Sequence, residues 1–207
     1  RGFLGLAGRG AAGLAVTELA ACAQNGSGDG GGGPVRIGAL YPISGSLALL
    51  GEESWRGVEI ALELRNQKGG VAGRKLEAVR ADIPDVNAAS SEARRLVTQE
   101  NLGLLVGAYS SSLSLAASEV AARSGKTYFE LGAIADDITN RGYQSVWRTN
   151  PPARTFTEAQ LEFVRDWVTR ALKKEPAALK IAIAHEDSAY GSSVARTLEE
   201  QAKPMGF

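Results

Sequence analysis

From Val35 onward the chain switches repeatedly between a two-residue and a three-to-four-residue hydrophobic period, and few architectures fit that pattern. Val35-Arg36-Ile37-Gly38-Ala39-Leu40-Tyr41 reads as a buried strand stopped by Pro42. A loop over Ser44–Gly51 leads into a helix from Glu52 to Gln67. That helix carries Val58, Ala61, Leu62 and Arg65 at helical spacing and ends at Gly69-Gly70. Lys75–Asp82 alternates as a second strand, and Pro84-Asp85 open a helix through Ala89, Ala93, Leu96 and Val97. Leu104-Leu105-Val106 is a short buried strand ending at Gly107. Leu113, Ala116, Ala117, Val120 and Ala121 then form the apolar stripe of a third helix, closed by Gly125. Thr127-Tyr128-Phe129 and Val146-Trp147-Arg148 read as two more strands. Beyond Pro151-Pro152 the spacing predicts a helix with Leu161, Val164, Val168 and Leu172 on one face, a strand over Lys180–Ala184 and a helix over Gly191–Lys203.

Strands that alternate with helices imply βαβ units, hence an α/β fold on a mostly parallel sheet. Ligands of such sheets sit outside the carboxyl ends of the strands. That rule singles out the loops Pro42–Gly51, Gly107–Ser112, Gly132–Asp137 and His185–Gly191. The richest of them is Tyr109-Ser110-Ser111-Ser112, which joins a buried strand to a helix. Hydroxyls and unpaired N–H groups gather there at the positive end of a helix, an arrangement suited to a carboxylate. Serine is equally the favoured N-cap of any helix. The local sequence leaves both readings open.

Composition removes other classes. Lys+Arg 23 against Asp+Glu 23 gives zero formal charge, which argues against a nucleic-acid binder living on a basic surface. One Cys and one His exclude a disulfide framework, a multi-Cys zinc site and a His-cluster metal site within the chain. No apolar stretch approaches the roughly 20 residues of a spanning helix. There is no G-x-S-x-G, no Walker-type G-x-x-x-x-G-K, and no G-x-G-x-x-G after the first strand. Neither a catalytic residue nor a metal or other cofactor is therefore expected. His185 reads as part of a strand-end loop with Glu186 and Asp187, and Asp136-Asp137 as turn residues rather than a cation site.

The first thirty-odd residues read as an address. Arg1–Ala21 is rich in Gly, Ala and Leu, and Leu19-Ala20-Ala21-Cys22 precedes a small, polar run from Ala23 to Gly33. Leu-Ala-Ala-Cys resembles the bacterial lipobox, which implies lipidation of Cys22, the one thiol of the chain. Arg1-Gly2-Phe3-Leu4 resembles the second half of a twin-arginine signal, so the chain reads as starting inside that signal. Residues 1–21 are thus expected to be a lipoprotein signal and residues 22–34 a flexible Gly-rich tether. Removing Arg1, Arg9 and Glu18 leaves 21 basic and 22 acidic residues, which favours no charged partner.

An ordered set of segments then resembles the substrate-binding proteins of ABC transporters of the branched-chain amino acid type, with the type 1 periplasmic binding fold. The segments are Ile37-Gly38-Ala39-Leu40-Tyr41-Pro42-Ile43-Ser44-Gly45, Gly69-Gly70-Val71-Ala72-Gly73-Arg74, Gly107 to Ser112, Gly132-Ala133, Thr139 to Tyr143, Trp147-Arg148-Thr149 and Asp187-Ser188-Ala189-Tyr190-Gly191. The resemblance runs from about Val35 to Phe207. It implies a two-lobed clamp that closes on a small ligand and hands it to a membrane permease, with no enzymatic activity. Residues 35–150 would form the ligand-binding lobe and residues 151–207 the start of a second lobe that stops short. Ser111 and Ser112 match the residues that hold the ligand carboxylate, with Tyr109 beside them. Ala133 and Ile134 match a further contact loop, and Tyr190 the second-lobe aromatic. Ile134 stands where a Thr is frequent, and Leu50 where an aromatic can cover the ligand; both make the pocket more apolar. An amino acid, a related amide or an aromatic carboxylate fits that expectation. The implied location is extracytoplasmic, with the membrane touched only through the lipid on Cys22. A receptor's sensor domain and an enzyme on a doubly wound sheet are the competing classes.

Overall fold

The computed structural model describes residues 32–207, so the signal, most of the tether and Cys22 lie outside the described residues. Five parallel strands make one sheet in the order β2-β1-β3-β4-β5. They are β1 (Val35–Tyr41), β2 (Leu76–Asp82), β3 (Leu104–Gly107), β4 (Thr127–Glu130) and β5 (Val146–Arg148). Helices α1 (Ala48–Gln67), α2 (Val86–Thr98), α3 (Ser111–Arg123) and the short α4 (Asp137–Asn140) connect them. The strand order reverses direction between β1 and β3, and their two following loops part there to leave a crevice.

The sheet has unequal faces. Leu40, Leu105 and Tyr128 point to α2 and α3, whose Ala89, Ala93, Leu96, Leu113 and Ala117 complete the larger core. Their strand neighbours Ala39, Tyr41, Val106 and Phe129 point the other way, toward Trp55 and Val58 of α1. This alternation follows from the two-residue period of a strand. Small residues let helix and sheet approach closely. A Cβ on Gly51 would lie 1.8 Å from the Pro42 carbonyl oxygen, so only glycine lets the first turn of α1 rest on the end of β1. Asp85 caps α2 by accepting the Ala88 N–H at 2.8 Å. Asp85→Ala is expected to cost about 1 kcal/mol of stability in urea unfolding, the usual value of such a cap.

Beyond β5 the chain forms α5 (Ala153–Phe163), a wide π turn (Val164–Val168), α6 (Thr169–Leu172) and α7 (Ala189–Ala202). The π turn re-phases the predicted stripe: Leu161 is buried, whereas Leu172 and Trp167 are exposed. The predicted strand over Lys180–Ala184 does not form. A strand exists only by hydrogen bonding to a neighbour, and no described strand lies beside this segment. Its Ile181 and Ile183 instead line an apolar groove with Leu161, Val164 and Leu198 of the flanking helices. The helix predicted from Glu52 starts a turn earlier, at Ala48, without a polar cap to announce it.

A polar seam joins α7 to the sheet's end. The Asp136 N–H donates to Ser193 Oγ at 3.1 Å, the Asp136 carboxylate accepts the Arg154 N–H at 3.2 Å, and Thr197 donates to it at 3.5 Å. Arg196 pairs with Asp137 at 3.1 Å and Arg154 with Glu200 at 3.1 Å. Asp136 and Asp137 thus serve this junction.

Candidate functional site

Four loops converge on a cavity of about 500 Å³ at the crevice. Ser46, Leu47 and Leu50 come from the β1 loop and the start of α1. Tyr109, Ser110 and Ser111 follow β3, Gly132, Ala133 and Ile134 follow β4, and Glu186, Ser188 and Tyr190 precede or begin α7.

The first loop is fixed by Asp82, whose carboxylate accepts the Ile43 and Ser44 N–H groups at 2.8 and 3.1 Å and the Ser44 hydroxyl at 2.6 Å. Partial burial pushes the Asp82 carboxyl up, but the Ser44 hydroxyl and the two N–H donors outweigh it and hold it below the usual aspartate value. The sign follows: the contribution of this bonding is complete above the ordinary aspartate pKa and is lost as pH falls through the lowered one. The Ile43 and Ser44 amide resonances are expected to hold steady at neutral pH and shift only in acid below the ordinary aspartate range. Asp82→Asn removes that transition.

The second loop presents the N-terminus of α3. Ser110 occupies the cap position in extended conformation, yet its side chain makes no capping bond. The first backbone donor to find a partner is the Ser114 N–H, which reaches the Ser110 carbonyl at 2.9 Å. The N–H groups of Ser111, Ser112 and Leu113 have no partner among the described residues. Ser111 is 2% exposed, and its Oγ accepts the Ala135 N–H at 3.2 Å. Its hydroxyl therefore ties the second loop to the third, while its backbone N–H remains available at the helix end.

The third loop is held from behind by its carbonyls. Asn150 Nδ2 donates to the Ala133 oxygen at 2.8 Å. Arg148 donates to the oxygens of Ile134 at 3.1 Å and Ala135 at 2.6 Å, and the Ala153 N–H joins the Ile134 oxygen at 2.7 Å. A trans peptide unit directs its N–H opposite to its C=O. Since the Ala133 carbonyl faces Asn150, the Ile134 N–H faces away from it, and it has no partner among the described residues. Unsatisfied donors from two loops thus border one cavity, next to the positive end of a helix.

Of the residues predicted to bind ligand, Leu50, Tyr109, Ser111, Ala133, Ile134 and Tyr190 border this cavity together. Ser112 does not: its side chain lines a separate depression between α2 and α3, and only its N–H belongs to the helix end. Ser46, Ser110, Glu186 and Ser188 also border the cavity; they lie in the loops that the sheet rule singles out, but the resemblance assigns them no ligand contact. Ser110 stood in the chosen motif, but three consecutive serines look alike until the helix start is known. His185 is exposed, with Nδ1 2.9 Å from the Glu186 carbonyl oxygen. No group of His, Cys, Asp or Glu among the described residues is arranged to hold a metal.

A sequence profile of the family described as periplasmic binding protein matches residues 34–207. The chain belongs to this periplasmic binding protein family. Leu/Ile/Val-binding protein homolog 7 of Brucella suis is 47% identical over 194 residues, which cover 94% of this chain and 47% of that relative. The chain thus spans about half the length of the curated relatives it matches. An ABC transporter substrate-binding protein from Desulfitobacterium hafniense, solved in complex with Leu, superposes with a TM-score of 0.69 at 23% identity. That match covers 84% of this chain and 48% of the other. A solute-binding protein of an ABC transporter from R. palustris, in complex with 4-hydroxybenzoate, gives a TM-score of 0.68 at 19% identity, over 84% of this chain and 44% of that one. These structural likenesses establish the family's fold for the five-stranded unit and its helices.

Proposed function

We propose that this protein is the extracytoplasmic solute-binding subunit of an ABC importer, capturing a small carboxylate and catalysing no reaction. The observation that carries the reading is the convergence of the uncapped α3 N-terminus and the Ile134 N–H on one cavity at the carboxyl end of the sheet. Leu50, Ala133 and Ile134 supply an apolar wall, and Tyr109 and Tyr190 supply aromatic surface for the rest of the ligand. Leucine and 4-hydroxybenzoate, which the solved relatives carry, both have a carboxylate on an apolar body.

Residues 35–150 act as the ligand-binding lobe, and residues 151–207 begin a second lobe whose α7 brings Tyr190 to the cavity. Ligand touching both sides shifts an open–closed equilibrium toward the closed form, which a membrane permease then recognises. The Leu-Ala-Ala-Cys motif supports a signal over residues 1–21, a lipid on Cys22 and a tether over residues 22–34.

Calorimetric titration of the whole protein with L-leucine, 4-hydroxybenzoate and their carboxamides, which lack the carboxylate charge, tests the reading. Carboxylates are expected to bind stoichiometrically without turnover, and the matching amides at least tenfold more weakly, the scale of a lost charge-assisted hydrogen bond. Equal binding of amides and acids, or turnover of a bound compound, refutes it. Ser111→Ala is expected to weaken carboxylate binding by about 1–3 kcal/mol, because the Ala135 N–H loses its acceptor and the third loop loses one of its ties to α3.

A further inference from the structure

Beneath the cavity lies a carboxylate to which the binding reading gives no part. Glu130, the last residue of β4, has no exposed surface. Its Oε1 accepts the N–H groups of Gly132 and Ala133, both at 2.7 Å. Its Oε2 accepts the Ala108 N–H at 3.2 Å, the Tyr128 hydroxyl at 3.3 Å and the Ser114 hydroxyl in a short bond. Five donors therefore meet one side chain. Ala108 immediately precedes the Tyr109–Ser111 loop, Ser114 sits one turn into α3, and Gly132 and Ala133 open the third loop.

An ionised carboxylate accepts hydrogen bonds and donates none, so it suits a shell made of donors. The three backbone N–H groups can only donate, and the ionised carboxylate accepts all of them together with both hydroxyls. A protonated carboxyl or an amide offers one accepting site fewer and must turn the Ser114 or Tyr128 hydroxyl into an acceptor. We infer that Glu130 is a positioning residue: its ionised carboxylate locks the two ligand-facing loops to each other, so that the free N–H groups of α3 and of Ile134 point at one place. This rests on the proposed binding role of the cavity. The lock works from behind, because the N–H groups of Gly132 and Ala133 are turned toward Glu130 while the next one, of Ile134, is left over.

The groups facing Glu130 are Tyr128 on its own strand, Ser114 on α3, Tyr41 on β1 and, through its charge, Arg148 on β5. Burial raises the Glu130 carboxyl above the ordinary glutamate value, against the lowering by Ser114 and the three N–H donors. Charging it inside the protein therefore opposes folding: stability is greatest below the ordinary glutamate pKa and declines as pH rises through the raised one. Positioning has the opposite sign, since the lock needs the ionised form.

The test has a ligand-free arm. In the whole protein, the amide protons of Ala108, Gly132 and Ala133 are expected to shift together with a single midpoint above the ordinary glutamate range, and Glu130→Gln is expected to abolish that transition. In the second arm, affinity for L-leucine, whose own carboxylate stays ionised in this range, is expected to fall about tenfold as pH drops through the same midpoint. The same loss is expected at all pH values in Glu130→Gln. If Glu130→Gln does not fold, Ser114→Ala is expected to move the shared midpoint upward, because it removes one donor to the charge. Independent titration of the three amides, or none at all, overturns the assignment. If the amides titrate together but L-leucine and 4-hydroxybenzoate both fail to bind at any pH, the lock stands and the carboxylate reading of the cavity falls.

Discussion

Ser110→Asp is expected to make the protein more stable and nearly unable to bind a carboxylate. Ser110 holds the cap position of α3 in the right backbone conformation but leaves the first-turn N–H groups unserved. An aspartate there would accept one of them and add a negative charge at the positive helix end, worth about 0.5–1 kcal/mol. The same charge would stand in the cavity proposed to receive a ligand's negative end. Two like charges about 4 Å apart near a protein surface repel by about 4 kcal/mol, so affinity should drop at least a hundredfold. Thermal unfolding and calorimetry on one sample read both effects. If Ser110 were only a helix cap, stability would rise and carboxylate affinity would stay as it was.

Gly107→Ala is expected to damage fold and site together. Gly107 ends β3 with φ of 140°, a region that side chains rarely enter, and a Cβ there would lie 2.2 Å from the Leu40 carbonyl oxygen. That oxygen belongs to β1, which pairs with β3 at this residue, so neither strand can retreat without breaking the ladder. A loss of about 3 kcal/mol or more in urea unfolding follows. The Ala108–Ser111 loop starts at the next residue, so the surviving folded fraction should also bind a carboxylate more weakly. Full stability in Gly107→Ala would mean that β1 and β3 yield far more easily than their packing suggests.

The strands and the first three helices were legible because each carries its own period: Val35–Tyr41, Leu104–Gly107 and Val146–Arg148 start and stop close to where their patterns do. The turn from Ala48 to Gly51 was not, because what starts α1 is the fit of Gly51 under Pro42, a contact between elements rather than a local signal. Lys180–Ala184 has the composition of a strand and lacks a described neighbour, showing that strand formation is a property of pairs. In the site, the serine loop was conspicuous, yet its division of labour was hidden. Ser110 opens on the cavity, Ser111 binds the Ala135 N–H and Ser112 turns to the α2 side, an assignment set by one helical turn. Glu130 escaped notice because a lone acid after Phe129 carries no motif. Only the gathering of the Ala108, Gly132 and Ala133 amides on its carboxylate, the first from 22 positions away, reveals it.

The bonds that Asp136, Asp137 and Arg154 make to α7 have a mechanical consequence. Each joins groups that water can satisfy almost as well, so solvent entering that joint replaces partners instead of exposing grease. An oily joint would set hard; one stitched with hydroxyls and ions can part and reseal many times at little energetic cost. That is the property the proposed open–closed movement would ask of a joint.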